Sequence, residues 1–63
     1  MLNKVYLDVL TGSLWVVVEE LDHDPWSEVP GTWYRLSSLD VPDRFASHAG
    51  LEDMVKIGML EEV

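Results

Sequence analysis

Apolar and polar residues alternate at the start of the chain. Val5, Leu7 and Val9 fall on one side of an extended segment, Tyr6, Asp8 and Leu10 on the other; this is the period of a β-strand. Thr11-Gly12-Ser13 then supplies a turn, with Gly12 free to take a positive φ. Leu14 to Glu20 reads Leu-Trp-Val-Val-Val-Glu-Glu, and branched and aromatic side chains suit a pleated surface. Lys4–Glu20 is therefore expected to fold as a β-hairpin. From Leu21 to Gly31 the period is lost. Asp22, Asp24, Pro25, Ser27, Pro30 and Gly31 are loop formers, and the prolines remove backbone donors. Thr32-Trp-Tyr-Arg-Leu36 reads as a third strand, entered through the Pro30-Gly31 turn.

The next stretch carries helix signals. Asp40 or Ser38 can cap a helix start, Pro42 suits the first turn, and Asp43 adds favourable charge there. Val41, Phe45 and His48 or Ala49 recur on one side, and Gly50 is placed to end the helix. A short helix is thus predicted within 37–50. Residues 51–63 admit two readings. Val55, Ile57 and Met59 alternate with Lys56, Gly58 and Leu60, as in a strand; Leu51, Met54, Val55 and Gly58 also share a helical face. Gly58 and the β-branched pair favour the strand. The expected fold class is α+β: a small antiparallel β-sheet of three to four strands with one short helix, in the order β-β-β-α-β. It forms a single acidic domain over 1–63.

Charge narrows the function. The chain holds 12 Asp+Glu against 4 Lys+Arg, a formal net charge of -8, and no cysteine. Four cations cannot neutralise a phosphate backbone, so direct nucleic-acid binding is excluded. Disulfide stapling is excluded as well. A structural zinc site wants about four Cys or His ligands, and only His23 and His48 are present. Asp22-His23-Asp24 lacks the further oxygens that a hard cation needs. No metal and no cofactor are expected.

Nor is an enzyme expected. Ser47 and His48 are neighbours in sequence and do not face each other on a helix, and a chain this short leaves little material for a water-excluding pocket. The longest uncharged run, Val9 to Val18, falls short of the roughly 20 residues that cross a bilayer. The N-terminus lacks the apolar stretch of a signal peptide. A cytoplasmic protein without membrane contact is the expectation. So short a chain is expected either to form a homodimer, for which a bare sheet edge could pair with a second copy, or to work by covering a partner.

The acids are unevenly spread. Glu19, Glu20, Asp22, Asp24 and Glu28 fall within ten residues that contain no Lys or Arg. A solvated face is the plain reading of such a run. Yet a charge of -8 on so short a chain costs self-repulsion in the compact state, and a basic partner surface offsets it. Trp26 stands inside this acidic loop. It is either an interface anchor of the kind enriched at binding hot spots or a lid folded back on the sheet.

Very small size, strong negative charge and spare apolar residues together resemble the phage-encoded DNA-mimic inhibitors. Among these the chain looks most like the small uracil-DNA glycosylase inhibitors. The likeness spans Leu14 to Val63: a β-hairpin leading into the Trp33-Tyr34 strand, the helix start Leu39-Asp40-Val41-Pro42-Asp43-Arg44-Phe45, the Gly50 break, and the alternating Met54–Leu60 segment. The family's Glu-Ser-apolar triplet has a counterpart in Ser27-Glu28-Val29, with the order reversed.

The resemblance implies a protein that binds a DNA-processing enzyme, uracil-DNA glycosylase first, and inhibits it from within its basic DNA groove. Glu19, Glu20, Asp22, Asp24 and Glu28 would stand in for phosphates. Phe45, Val55, Ile57 and Met59, with Trp26, would supply the apolar contact that captures the enzyme's minor-groove side chain. Two other readings stay open. One is an inhibitor of another nucleic-acid machine, such as a CRISPR nuclease, restriction enzyme or RNA polymerase. The other is a structural or assembly module that dimerises without inhibiting anything.

Overall fold

Five strands form one antiparallel sheet, and one helix lies against one of its faces. The computed structural model describes residues 1–63. The elements are β1 (Val5–Asp8), β2 (Leu14–His23), β3 (Pro30–Ser37), β4 (Arg44–Ser47), α1 (His48–Lys56) and β5 (Leu60–Glu62). Across the sheet the order is β4-β3-β2-β1-β5. The α+β class holds. The sheet has five strands instead of three to four, and the order along the chain is β-β-β-β-α-β.

The alternation near the N-terminus forms the hairpin it predicts. Tyr6 lies opposite Trp15, and Val5 opposite Val16. Gly12, at φ 77°, lets the chain reverse, and its N–H donates to the Asp8 carbonyl at 2.8 Å. The Asp8 carboxylate also accepts from the N–H groups of Leu10 and Thr11.

Two elements differ from expectation. The predicted helix within 37–50 is replaced by bends over 38–43 and then by β4. Pro42 disfavours helical backbone at Val41. Downstream of it, pairing with β3 sets Phe45 opposite Arg35 and Ala46 opposite Tyr34. The predicted strand over 54–60 is instead the end of α1. Ser47 caps this helix by accepting from the Gly50 N–H at 3.0 Å, so Gly50 lies in the first turn, not at the stop. Gly58, at φ 84°, ends it. The Gly58 N–H reaches the Val55 carbonyl and the Met59 N–H reaches the Met54 carbonyl, the pairing of a left-handed glycine cap. Gly58 was thus a helix-stop signal, and only Leu60–Glu62 form a strand.

The core lies between α1 and the sheet. Tyr6, Trp15, Val17, Tyr34, Leu36 and Ala46 point from the strands toward Leu51 of α1, with Leu60 of β5 at the margin and Met54 packed alongside. Val17, Tyr34 and Leu51 are fully enclosed. Leu51 is the helix's one buried residue, so truncating it opens a cavity at the centre of the contact. Leu51→Ala is expected to cost about 2–5 kcal/mol, measured as a lowered urea midpoint with an unchanged slope.

Two buried tyrosines give stability an alkaline limit. Burial, reinforced by Glu52, raises the Tyr6 pKa above its usual 10.0. Burial, then Glu20, Tyr6 and Glu52, do the same for Tyr34. A raised value favours the folded state below the ordinary pKa, and that preference is lost as pH climbs through the folded value. Far-UV circular dichroism is expected to show unfolding above about pH 10, with a shallower alkaline limb in Tyr34→Phe.

Candidate protein-binding surface

The β2–β3 hairpin gathers the acidic run at one end of the molecule. Its loop is held by its own hydrogen bonds. The Asp24 carboxylate accepts from the Trp26 N–H at 2.9 Å, and the Asp24 N–H donates to the Val29 carbonyl at 2.9 Å. The Ser27 hydroxyl accepts from the Val29 N–H. Asp and Ser side chains close turns in this way. The prolines that break the period do not stop β3 from starting at Pro30, opposite His23.

Geometry sorts the five acidic candidates. Glu19 is paired: its carboxylate accepts from the Arg35 Nε at 3.0 Å, and the Arg35 Nη1 reaches Asp43 at 2.7 Å. The ion pair sets Glu19 apart from the other four, none of which pairs with a Lys or Arg. Glu20 and Asp22 share a shallow recess of about 460 Å³ with Leu21 and Thr32. Asp22 is almost wholly in solvent and holds the His23 Nδ1 at 2.8 Å. That contact lowers the Asp22 pKa. It also raises that of His23, with further help from the charges of Glu28 and Asp24. Asp22 is thus the one carboxylate bonded to His23, and no Lys or Arg lies between Glu19 and Tyr34.

Of the five apolar candidates, only Trp26 and Phe45 meet. Trp26 folds back over the sheet face that α1 leaves open. Its ring meets Trp33 edge-on at 5.9 Å and Phe45 at 5.4 Å between centroids. It acts as a lid and still leaves 70% of itself exposed. Val55 belongs to α1, on the opposite side of the sheet, and Ile57 and Met59 follow it toward β5. No single hollow joins Phe45 to these three, which corrects the expected apolar pocket.

One constellation was missed. The Tyr34 hydroxyl sits 2.8 Å from the Nδ1 of His48, while the His48 Nε2 contacts Glu52 one turn along α1. Glu52 can only accept, so in the neutral ring the proton lies on Nε2 and Nδ1 is left to accept from the tyrosine hydroxyl. The chain ties the helix start to the sheet beside a groove of about 470 Å³ that also takes in Lys4, Tyr6 and Lys56. His48 was read on the wrong element, and only the β3–α1 packing brings Tyr34 to it. No group of three or more His, Asp or Glu side chains is placed to hold a metal ion. No helix is long and apolar enough to cross a membrane.

The remaining cations are engaged elsewhere. Lys4 pairs with Glu62, the Arg44 guanidinium lies 5.5 Å from the centre of the Trp15 ring, and Lys56 occupies the last turn of α1. Compared with known proteins, the chain matches no family model, no curated relative and no solved structure.

The acidic end has a direct spectroscopic readout. His23 is expected to titrate above the ordinary value of about 6.5 in an NMR pH series. Asp22→Asn is expected to bring it most of the way back, leaving the smaller influence of Glu28 and Asp24. The sign follows from the raised value: the pair favours folding below that pH and loses the contribution as His23 deprotonates.

Proposed function

We propose that the chain binds and inhibits a DNA-processing enzyme, presenting the β2–β3 hairpin end to its basic DNA groove in place of phosphates. The observation that carries this reading is the placement of Glu20, Asp22, Asp24 and Glu28 on the β2–β3 hairpin end, where no Lys or Arg stands among them. An enzyme that grips and flips bases must offer a cationic channel. Carboxylates held by a self-bonded loop meet that channel without the ordering cost that a flexible acidic tail pays on binding. Charge matching of this kind speeds encounter and fixes orientation.

Trp26, exposed beside Asp24, adds an apolar contact at the same end. Inhibition needs no chemistry from the inhibitor, so the reading assigns no catalytic residue. The layout resemblance makes uracil-DNA glycosylase the first target, met in the cytoplasm of a host bacterium. CRISPR nucleases, restriction enzymes and RNA polymerase offer grooves of the same chemistry.

The test is uracil excision from a labelled oligonucleotide by purified glycosylase. Excision is expected to stop with the protein in excess. Glu20→Lys combined with Asp22→Lys is expected to weaken inhibition at least about tenfold, or about 1.4 kcal/mol. Both side chains are exposed, so the fold is kept. Unimpeded excision removes this target. Equal potency in the reversed variant removes the acidic end as the binding surface.

A further inference from the structure

Trp26 is held in place and yet left open. Its ring crosses Trp33 at 86° and Phe45 at 81°, with centroids 5.9 and 5.4 Å apart. Its backbone N–H donates to the Asp24 carboxylate at 2.9 Å. Edge-to-face contacts of this kind are specific in geometry. Even so, 70% of the residue stays in solvent, which requires an uncovered face on the indole. The face of a tryptophan ring is electron-rich and attracts a cation.

The chain shows that interaction once, where the Arg44 guanidinium lies 5.5 Å from the centre of the buried Trp15 ring. Trp26 has no such partner. Residues 20–33 hold no Lys or Arg. Arg35, opposite Phe45 on the sheet, is held between Glu19 and Asp43. Lys4 pairs with Glu62, and Lys56 ends α1 on the other side of the sheet. His23 holds Asp22. A cation that reaches the Trp26 indole therefore comes from another molecule.

We infer that Trp26 receives an arginine side chain of a protein partner. The guanidinium lies flat on the indole, and the exposed carboxylates of Asp24 and Glu28, two residues to either side of Trp26, accept from its N–H groups. The inference deepens the inhibitory reading and rests on one part of it, that the hairpin end meets a cationic protein surface. Which enzyme supplies that surface does not enter.

The chemistry selects this occupant over others. An aliphatic side chain laid on Trp26 would draw water away from the neighbouring carboxylates without pairing them. A second copy brings the same acids and is repelled, as is a phosphate backbone. A lysine matches the charge, but its ammonium is compact and strongly hydrated. A guanidinium is planar, more weakly hydrated and able to bond a carboxylate through its edge while it stacks on a ring. Arginine meets both the indole and the acids.

Nona-arginine and nona-lysine peptides of equal charge, added to the ¹⁵N-labelled full chain and followed by NMR, test this. Nona-arginine is expected to shift the Trp26 indole N–H signal, to show contacts between its side-chain methylene protons and the indole ring, and to bind about threefold more tightly than nona-lysine. The indole signal of Trp15 is expected to stay where it is. Trp26→Leu is expected to bring the two affinities together, whereas Trp26→Tyr, which keeps an aromatic face, retains part of the preference. An unchanged backbone amide spectrum shows that each variant is folded, and the contacts in the unsubstituted protein need no variant. Equal affinities with a stationary Trp26 signal overturn the inference and leave the acidic end as a cation-binding surface. An arginine preference that survives Trp26→Leu overturns it too, since the carboxylates alone then account for it. Binding of neither peptide overturns both the inference and the acidic end.

Discussion

The sheet has two apolar faces, and the helix serves one of them. Leu51 inserts among Tyr6, Trp15, Val17, Tyr34 and Leu36, and this one contact organises the core. A domain of about 60 residues buries only about 60% of its unfolded surface, so little remains for the other side. Trp26 folds back from the hairpin loop as a partial second layer over Trp33 and Phe45. On the rest of that face Val5, Leu7 and Val16 are half-buried and Leu14 is exposed.

Charge is divided along the same lines. Arg35 settles Glu19 and Asp43 on the open face, and Lys4 settles Glu62 at the edge next to β5. Arg44 covers Trp15. These placements leave the hairpin end with carboxylates and one histidine. A second group of acids, Glu52, Asp53, Glu61 and Glu62, stands on α1 and β5.

The parts of the fold readable in the sequence are those set by neighbours along the chain. Val5 to Val17 alternate around a Gly turn and form the hairpin they imply, and the acidic run marks the end where the carboxylates gather. What escaped depends on distant partners. Phe45 and Ala46 become a strand because β3 offers Arg35 and Tyr34 for pairing, a preference that outweighs the capping signals before them. Val55 and Ile57 alternate as in a strand, yet Ser47 starts a helix and Gly58 stops it, and Leu51 anchors it to the sheet. The pairing of Glu19 with Arg35, 16 residues away, and the Tyr34–His48–Glu52 chain are tertiary facts without a local signature. Trp26 could be read as anchor or lid, and its contacts with Trp33 and Phe45 make it a lid with an exposed rim.

The ladder between β2 and β3 slips by one residue at Val18 of β2 and slips back between Leu21 and His23, where the extra residue is on β3. Had it run evenly past Val17, Glu19 would face Tyr34 and aim its carboxylate at the core. The first bulge turns Glu19 outward to Arg35 and carries Leu21 onto the open face beside Trp33. The second shift cancels the first, so the loop end returns to the register of the pairs beneath α1, and only Glu19 to Leu21 lie on the faces that the offset gives them.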